Sequence, residues 1–302
     1  MCTLLGRTAQ GRRWILASTS DDPYAVQNQL VCAQATPYSY LAVRVVTARQ
    51  DSDVPWNGML TRGVNAAGLA YTYAYVHQPD VTWPPQRWAH DVLSGCRSVQ
   101  GAVKVIKDHM GEVLAGNYLL ADQEGDAAAL EVARADIAVT PGAERMLVCT
   151  NVWAQLPMLE RDRWGAETAA ERYRRGKMLL SAGDGDLTAL FQAMRDHSDD
   201  GADAERPYGI SICNHGQADG TISSEVIEPR AARLWWTYGW PCGAARGYET
   251  RARVAWGRYV AFDVAKVTAD GEVTRLDGQI TPLGVRLIGA VEGAYYFEGG
   301  ST

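Results

Sequence analysis

Residues 1–17, MCTLLGRTAQGRRWILA, contain two short apolar runs on either side of a turn signal. Residues 2–5 and 13–17 are predicted to form strands, and the polar, glycine-containing segment AQGRR between them predicts the turn of a β-hairpin. Cys2 would then begin the first strand, directly behind the initiator methionine. A hairpin at this position is the first indication of a fold built from antiparallel sheet.

The position of Cys2 suggests a chemical role. Its side chain is small enough for an aminopeptidase to remove Met1, which would leave one residue with both a thiol and a free α-amine. The α-amine has a reference pKa of about 7.7–8.0, so part of it is unprotonated at neutral pH and can accept the thiol proton. The thiol becomes a good nucleophile once nearby positive charge favours the thiolate. Cys2 is therefore a candidate catalytic residue, provided that a carboxylate holds the amine in place.

The composition narrows the class of protein. With 302 residues, 47% hydrophobic and 21% charged, the chain predicts a globular protein with a substantial core. Its net charge of -6 has the wrong sign for binding phosphate backbones, so nucleic acid is not an expected partner. No stretch reaches the roughly 20 consecutive apolar residues of a membrane helix, and no signal-peptide pattern is found, so we expect no membrane association and a cytoplasmic location.

Cysteine and histidine spacing predicts neither a metal site nor a familiar nucleophile setting. There is no CxxC pair, no zinc-like Cys/His spacing, and no GxGxxG, P-loop, GxSxG or HExxH motif. We therefore expect no bound metal or cofactor, most cysteines to be small buried hydrophobes, and the histidines to be structural or on the surface. These residues are Cys2, Cys32, Cys96, Cys149, Cys213, Cys242, His77, His90, His109, His197 and His215.

Apolar alternation predicts many further strands. The tyrosines at positions 71, 73 and 75 alternate after a turn at 65–68, so one face of their strand is aromatic. The SDDP segment near position 21 is predicted to form a turn. Other predicted strands are LAVRVVT (41–47), three segments within 117–140, and the segments MLVCTNVW, GISIC, TISSEVIE, ARLWWTYG and RYVAFDVAKV.

Helical spacing is confined to two parts of the chain. Residues 85–107 predict two consecutive helices, and 166–180 and 186–197 predict two more. Strands and helices are thus grouped and do not alternate, which indicates the α+β class. We expect two mainly antiparallel sheets packed face to face with helices outside.

Several motifs together resemble the N-terminal nucleophile (Ntn) hydrolases of the choloylglycine hydrolase and penicillin V acylase type, with the related acyl-coenzyme A:isopenicillin N acyltransferases. They are MCT at the start, SDDP, VNAAGLAYTYAYV, NYLLADQEGDAAALEV, VCTNVW, ERYRRG and SICNHG followed by TISSEVIEPRAARLWWTYGWPC. Each is weak alone, but their order and distances are fairly specific. The resemblance implies an αββα four-layer sandwich formed by residues 1–302 as one domain. It fades over 250–302.

The resemblance also implies roles for the nucleophile and its amine. Cys2 matches the family nucleophile, and Asp21 matches the aspartate that orients the terminal amine. Asp22 remains an alternative because the double aspartate blurs the register. Many relatives carry an arginine three residues earlier, where this chain has Ser18. Either Arg12 or Arg13 reaches the site from the hairpin, or the nucleophile is less activated, or substrate recognition differs.

Three more residues match sites that support the reaction. Tyr75 matches a position that helps to form the oxyanion hole, Asn151 matches the amide donor of that hole, and Arg172 matches the arginine that supports the nucleophile. Relatives often have TNH where this chain has TNV, so Val152 would make the pocket wall apolar.

The implied function is that of an N-terminal-cysteine amidase or acyltransferase, acting on a non-peptide amide or thioester through an acyl-enzyme on Cys2. The expected partner is a small-molecule acylated amine or acyl thioester; coenzyme A could serve as acyl donor, and a homo-oligomer is possible. Two alternatives stay open. STSDDP also resembles dipeptidases of the related N-terminal cysteine type, and the serine at position 18 is compatible with an inactive binding protein of the same fold.

Overall fold

The computed structural model describes residues 2–9, 13–24, 26–47, 58–78, 87–143, 145–158, 165–182, 186–197, 209–215, 219–242, 259–269 and 275–277. Its strands are β1 Leu4–Ala9, β2 Arg13–Pro23, β3 Val26–Ala33, β4 Tyr40–Thr47, β5 Leu60–Asn65, β6 Ala70–Tyr75, β7 Gly116–Ala121, β8 Ala127–Val132, β9 Ile137–Pro141, β10 Met146–Cys149, β11 Asp219–Glu228, β12 Arg233–Tyr238, β13 Val260–Asp263 and β14 Arg275–Asp277. Its helices are α1 Trp88–Gly95, α2 Val99–Asp108, α3 Ala166–Ala182, α4 Leu187–Met194 and α5 Val264–Ala269.

The strands form two antiparallel sheets. The first has the order β10-β1-β2-β11-β12-β13, and the second has the order β14-β3-β4-β5-β6-β7-β8-β9. Strand β2 of the first sheet packs on β6 and β7 of the second. The predicted α+β class with two face-to-face antiparallel sheets is confirmed.

Three apolar clusters separate the layers. Leu4 and Leu16 join the cluster between the sheets, with Leu119 from the opposite sheet. Their neighbour Leu5 faces the other way and packs with Leu180 of α3 and residues of α4. On the far side of the second sheet, the side chains of Tyr71, Tyr73 and Tyr118 pack with those of α1 and α2. The layers therefore run helix, sheet, sheet, helix, as the αββα prediction requires.

Most predicted elements are present, with shifted ends. The first hairpin is confirmed, although β1 begins at Leu4 and Cys2 precedes it. The aromatic face of β6 and the three-strand series β7, β8 and β9 are also confirmed. Ser98 and Asp186 cap α2 and α4 by accepting bonds from backbone N–H groups three residues on. Among the described helices, none is both long and apolar enough to span a membrane.

Three local predictions are wrong. The SDDP segment is no turn, because Asp21 and Asp22 lie within β2 and pair with β11. GISIC forms bends and not a strand. RYVAFDVAKV is a strand only to Asp263, after which α5 begins. In each case the contacts that a segment makes with distant parts of the chain override its local sequence pattern.

Candidate active site

Cys2 lies in a cavity between the two sheets. Its side chain is buried and is only 7% exposed. The cavity is small, with a volume of about 10 Å³, and is lined by Cys2, Ser20, Asp22, Val45, Thr61, Arg62, Tyr73 and Tyr75. No histidine is among these described lining residues, so the geometry offers no imidazole base beside the thiol.

The backbone of Cys2 is held on both sides. Its nitrogen donates to Asn151 Oδ1 at 2.7 Å, and its carbonyl oxygen accepts from Arg172 Nη1 at 2.8 Å. The next residue is fixed too, because the Thr3 nitrogen donates to Thr19 Oγ1 at 3.1 Å. Two residues far away in sequence therefore fix the position of the thiol.

Arg172 is a fully buried guanidinium on the inward face of α3. Besides Cys2, it donates from Nη2 to Asn151 Oδ1 at 3.0 Å, and its Nη1 lies 3.7 Å from Asp21 Oδ2. One turn further along α3, Gly176 faces β1, and a Cβ there would lie 2.9 Å from Leu5 Cδ2. The glycine lets α3 approach the sheet closely enough for Arg172 to reach Cys2.

Asp21 and Asp22 occupy different surroundings. Asp21 is buried and accepts a 2.7 Å bond from Thr221 Oγ1 of β11. Burial raises the pKa of Asp21 from 3.8 to about 6, against the lowering effects of the N-terminal positive charge and Arg172. Asp22 lines the cavity and accepts from Ser20 Oγ at 2.6 Å. Asp21 contacts the group that holds Cys2, whereas Asp22 borders the space beside the thiol.

Asn151 connects Cys2 with Tyr75. Its Nδ2 donates to the Tyr75 carbonyl oxygen at 2.6 Å, while its Oδ1 accepts from Cys2. Asn117 of β7 fixes this segment, because its Nδ2 donates to the carbonyls of Thr150 and Val152 at 2.7 and 2.8 Å. The structure therefore brings the other four residues singled out from the sequence, Asp21, Tyr75, Asn151 and Arg172, together around Cys2.

Arg62 is the site residue that the sequence reasoning missed. It lies on β5 with 1% of its surface exposed, and its Nη2 lies 3.6 Å from Cys2 Sγ. The same nitrogen donates to the Thr19 carbonyl at 2.8 Å, and Nη1 donates to Thr61 Oγ1 at 2.7 Å. Among the described residues, this is the guanidinium that contacts the sulfur, whereas Arg172 contacts the Cys2 backbone.

Ser18 and Glu225 hold Arg62 in place. Arg62 Nε forms a 2.9 Å ion pair with Glu225 Oε2 and donates to Ser18 Oγ at 3.0 Å. Ser18 in turn donates to the same carboxylate oxygen at 2.9 Å. The serine at the position where many relatives have arginine thus supports an arginine from the opposite sheet. Of the two hairpin arginines considered earlier, Arg13 is exposed at the start of β2, and residue 12 lies outside the described residues.

The charges around the thiol have opposing effects. Burial raises the pKa of the Cys2 thiol above its ordinary value, whereas the N-terminal positive charge and Arg62 lower it. Asp22 and Asp21 add smaller upward contributions. Because burial dominates, formation of a thiolate depends on the cations that stand close to it.

Comparison with solved structures identifies the fold class. A cysteine-to-alanine mutant of conjugated bile acid hydrolase from Clostridium perfringens matches with a TM-score of 0.55 and 12% identity, covering 93% of this chain and 97% of that one. A second variant of that hydrolase gives a TM-score of 0.53 and 11% identity, with 88% and 93% covered. Penicillin V acylase from Agrobacterium tumefaciens gives 0.46 and 16%, with 78% and 83% covered. The fold is that of the Ntn hydrolases.

The sequence also matches a family model directly. Residues 50–241, more than half of the chain, match the model described as acyl-coenzyme A:6-aminopenicillanic acid acyl-transferase. The chain belongs to this family and is an enzyme that hydrolyses amides or transfers acyl groups. The predicted family resemblance is confirmed. Among the curated proteins, none matches this sequence.

Proposed function

We propose that the protein is an N-terminal-cysteine amidase or acyltransferase that forms an acyl-enzyme on Cys2. One observation carries the proposal: Cys2 lies in a cavity with its nitrogen bound by Asn151, its carbonyl by Arg172 and its sulfur 3.6 Å from Arg62. A buried cysteine with only a packing role would not need two buried guanidinium groups at its own atoms, since each is costly to desolvate.

The proposed reaction begins after removal of Met1. The Cys2 nitrogen then becomes an amine, which takes the thiol proton while the sulfur attacks the substrate carbonyl carbon. The C–N or C–S bond of the substrate breaks, and the leaving amine or thiol takes that proton. Water or an amine then attacks the thioester, which releases a carboxylic acid or a new amide and restores the thiol.

Asn151 is proposed to stabilise the tetrahedral intermediate. An amide nitrogen carries two hydrogens, and the bond to the Tyr75 carbonyl uses one of them. Arg172 fixes the orientation of this amide by donating to its oxygen. The second hydrogen, together with a backbone N–H near Tyr75, is the proposed oxyanion hole. Losing one such donor typically costs about 100- to 1000-fold in rate.

The residues beside the sulfur and the family match support a small acylated molecule as substrate. Val45 offers an apolar surface, whereas Arg62 and Asp22 are charged groups that line the cavity. The family name describes transfer between acyl-coenzyme A and 6-aminopenicillanic acid, and the matched hydrolase is named for conjugated bile acids. We propose an acylated amine or acyl thioester of this general kind, with coenzyme A as a possible donor and no other cofactor required. The free thiols of all six cysteines support a reducing compartment such as the cytoplasm.

Rapid-quench kinetics tests the reaction. The purified protein is mixed with a panel of N-acyl anilides and acyl-coenzyme A thioesters, and released amine or thiol is measured. We expect a burst with an amplitude close to one per chain, followed by a slower steady rate. Added amine should divert the acyl group from water if the enzyme is a transferase. If water is the only acceptor of the acyl group, the proposal is restricted to an amidase.

Two cysteine variants provide the controls. Cys2→Ala should abolish both burst and turnover, whereas Cys149→Ser, in β10, should retain them. Amino acids released from dipeptides, without activity on the panel, would support the dipeptidase alternative. Full activity of Cys2→Ala would rule out the proposed mechanism.

A further inference from the structure

A second cluster of reactive side chains lies at the open end of the β11 and β12 hairpin. Cys213 and His215 precede β11, and Cys242 follows β12. His215 Nε2 lies 3.3 Å from Cys213 Sγ and 3.1 Å from Cys242 Sγ, and the three candidate ligand atoms are all within 4.8 Å of one another. Cys213 is fully buried and the other two residues are partly buried.

The arrangement is not explained by hydrogen bonds to the imidazole alone. Both sulfur atoms approach the same ring nitrogen, which has either one hydrogen or one lone pair in the neutral ring. It can therefore make only one well-aligned bond to the pair. An ion at the centre would contact all three atoms, since zinc takes nitrogen at about 2.0–2.1 Å and sulfur at about 2.3 Å.

The surrounding structure holds the three groups in position before any ion binds. The ring of His215 stacks on Trp240, with centroids 4.0 Å apart and planes 14° apart. The Cys213 nitrogen donates to the Asp196 carbonyl at 2.8 Å, and Arg195 Nε donates to the Pro241 carbonyl at 3.1 Å, next to Cys242. A site with its ligands fixed in this way loses little conformational entropy on binding.

We propose that Cys213, His215 and Cys242 bind a zinc ion, with a fourth position open to water or another ligand. Two thiolates and a neutral imidazole balance the charge of Zn²⁺, so the complex can remain partly buried without a net charge. Each cysteine must lose its thiol proton to bind zinc as a thiolate, so zinc should bind more tightly as pH rises.

The zinc site would connect to the candidate active site through two residues. Asn214 lies between two of the ligands in the sequence. Its carbonyl oxygen accepts from the Thr221 nitrogen at 2.9 Å, and its backbone N–H donates to Thr221 Oγ1 at 2.8 Å. Thr221 in turn donates to Asp21. Zinc would thus fix the loop that positions Asp21. The sequence did not predict it, because Cys242 lies 27 residues from His215, beyond any usual zinc spacing.

The test uses the full chain carrying Cys2→Ala, so that the proposed catalytic thiol cannot contribute a ligand. Metal-free protein is titrated with zinc, and with cobalt as a spectroscopic probe, and bound metal is counted after gel filtration. We expect one ion per chain, thiolate-to-cobalt charge-transfer absorption and a raised melting temperature. Adding Cys242→Ser or His215→Gln should weaken zinc binding by at least about 100-fold. Adding Cys149→Ser, another partly buried cysteine, should leave zinc binding unchanged.

Three results would overturn the zinc proposal. The first is that the Cys2→Ala chain binds no stoichiometric zinc. The second is equal zinc affinity in the Cys242→Ser and Cys149→Ser chains, and the third is a Cys213–Cys242 disulfide that persists in reductant. None of them bears on catalysis by Cys2, so failure of this proposal is distinguishable from failure of the proposed function.

Discussion

Arg62 places a positive charge beside the nucleophile from β5, whereas many relatives carry an arginine at the position of Ser18 in β2. Its guanidinium comes from β5, 60 residues from Cys2, and bonds to Ser18 on β2. The segment GMLTRG carries no local signal for such a role, since an arginine in a strand usually points to solvent. The hint in the sequence was indirect: with serine at position 18, a cation from elsewhere was one of three alternatives, and the candidates considered for it were Arg12 and Arg13.

Removing the charge of Arg62 should weaken the nucleophile. Replacing Arg62 alone would leave Glu225 buried without its cation, at a cost of about 3–5 kcal/mol, so Arg62→Met is combined with Glu225→Gln. We expect the pKa of the Cys2 thiol to rise in this double variant, because the positive charge of Arg62 that lowers it is removed. The measurement is the pH dependence of the rate at which iodoacetamide labels Cys2.

Two matched variants separate charge from packing. Arg62→Lys should keep much of the charge but lose the fork to Ser18 and Thr19, giving an intermediate thiol pKa. Ser18→Arg, added to the double variant, should restore part of the labelling rate and of turnover. An unchanged thiol pKa in the double variant would show that Arg62 does not act on the sulfur.

At the scale of elements, hairpins and capped helices were predictable because alternation and capping are local. The double aspartate was not, because its strand conformation depends on pairing with β11 and on the hydroxyl of Thr221, 200 residues away. The bent segment before β11 was mistaken for a strand for a similar reason. Ile212 and Cys213 in this segment are buried, but its backbone forms bends.

Gly176 gives a direct test of the α3 contact. Gly176→Leu should push α3 away from β1, because even a Cβ would overlap Leu5. Overpacking of this kind costs about 1–3 kcal/mol, and a shift of about 1 Å in Arg172 could lower kcat/KM by about 100-fold. The measurements are urea unfolding and steady-state kinetics.

Ala170→Leu is the matched control, because this residue lies on the exposed face of the same helix. Gly176→Leu gains helix propensity, whereas Ala170→Leu changes it little, so a loss of stability in Gly176→Leu comes from contact with the sheet. The control should change the free energy of unfolding by no more than about 0.5 kcal/mol. Equal activity in the two variants would contradict the role given to Gly176.

At the scale of the whole molecule, the site exists only because three of the four layers contribute to it. The first sheet supplies Asp21 and the residue that leads into β1, Cys2; the second sheet supplies Arg62 and Tyr75, and α3 supplies Arg172. The family resemblance assigned four of these five positions, but neither it nor local patterns could show which arginine faces the sulfur. That depends on how the two sheets pack.

Burying Asp21 should make stability depend on pH. Its pKa is raised from 3.8 to about 6 on folding, so the folded chain binds more protons than the unfolded chain between these values. With respect to this group, the free energy of unfolding is therefore highest at low pH. It falls by about 3 kcal/mol as pH rises through the folded-state pKa of about 6. Relative to wild type, Asp21→Asn should gain about that amount between pH about 4 and about 7. A constant difference in denaturant unfolding across this range would contradict the assignment.

The central claim, that Cys2 is both the first residue of the working enzyme and its nucleophile, is tested most directly by mass spectrometry of protein quenched during turnover. The account predicts an intact mass lacking Met1, plus one acyl group on the Cys2 peptide that disappears when substrate is exhausted. Fully active protein that retains Met1, or an acyl group on any other residue, would contradict it.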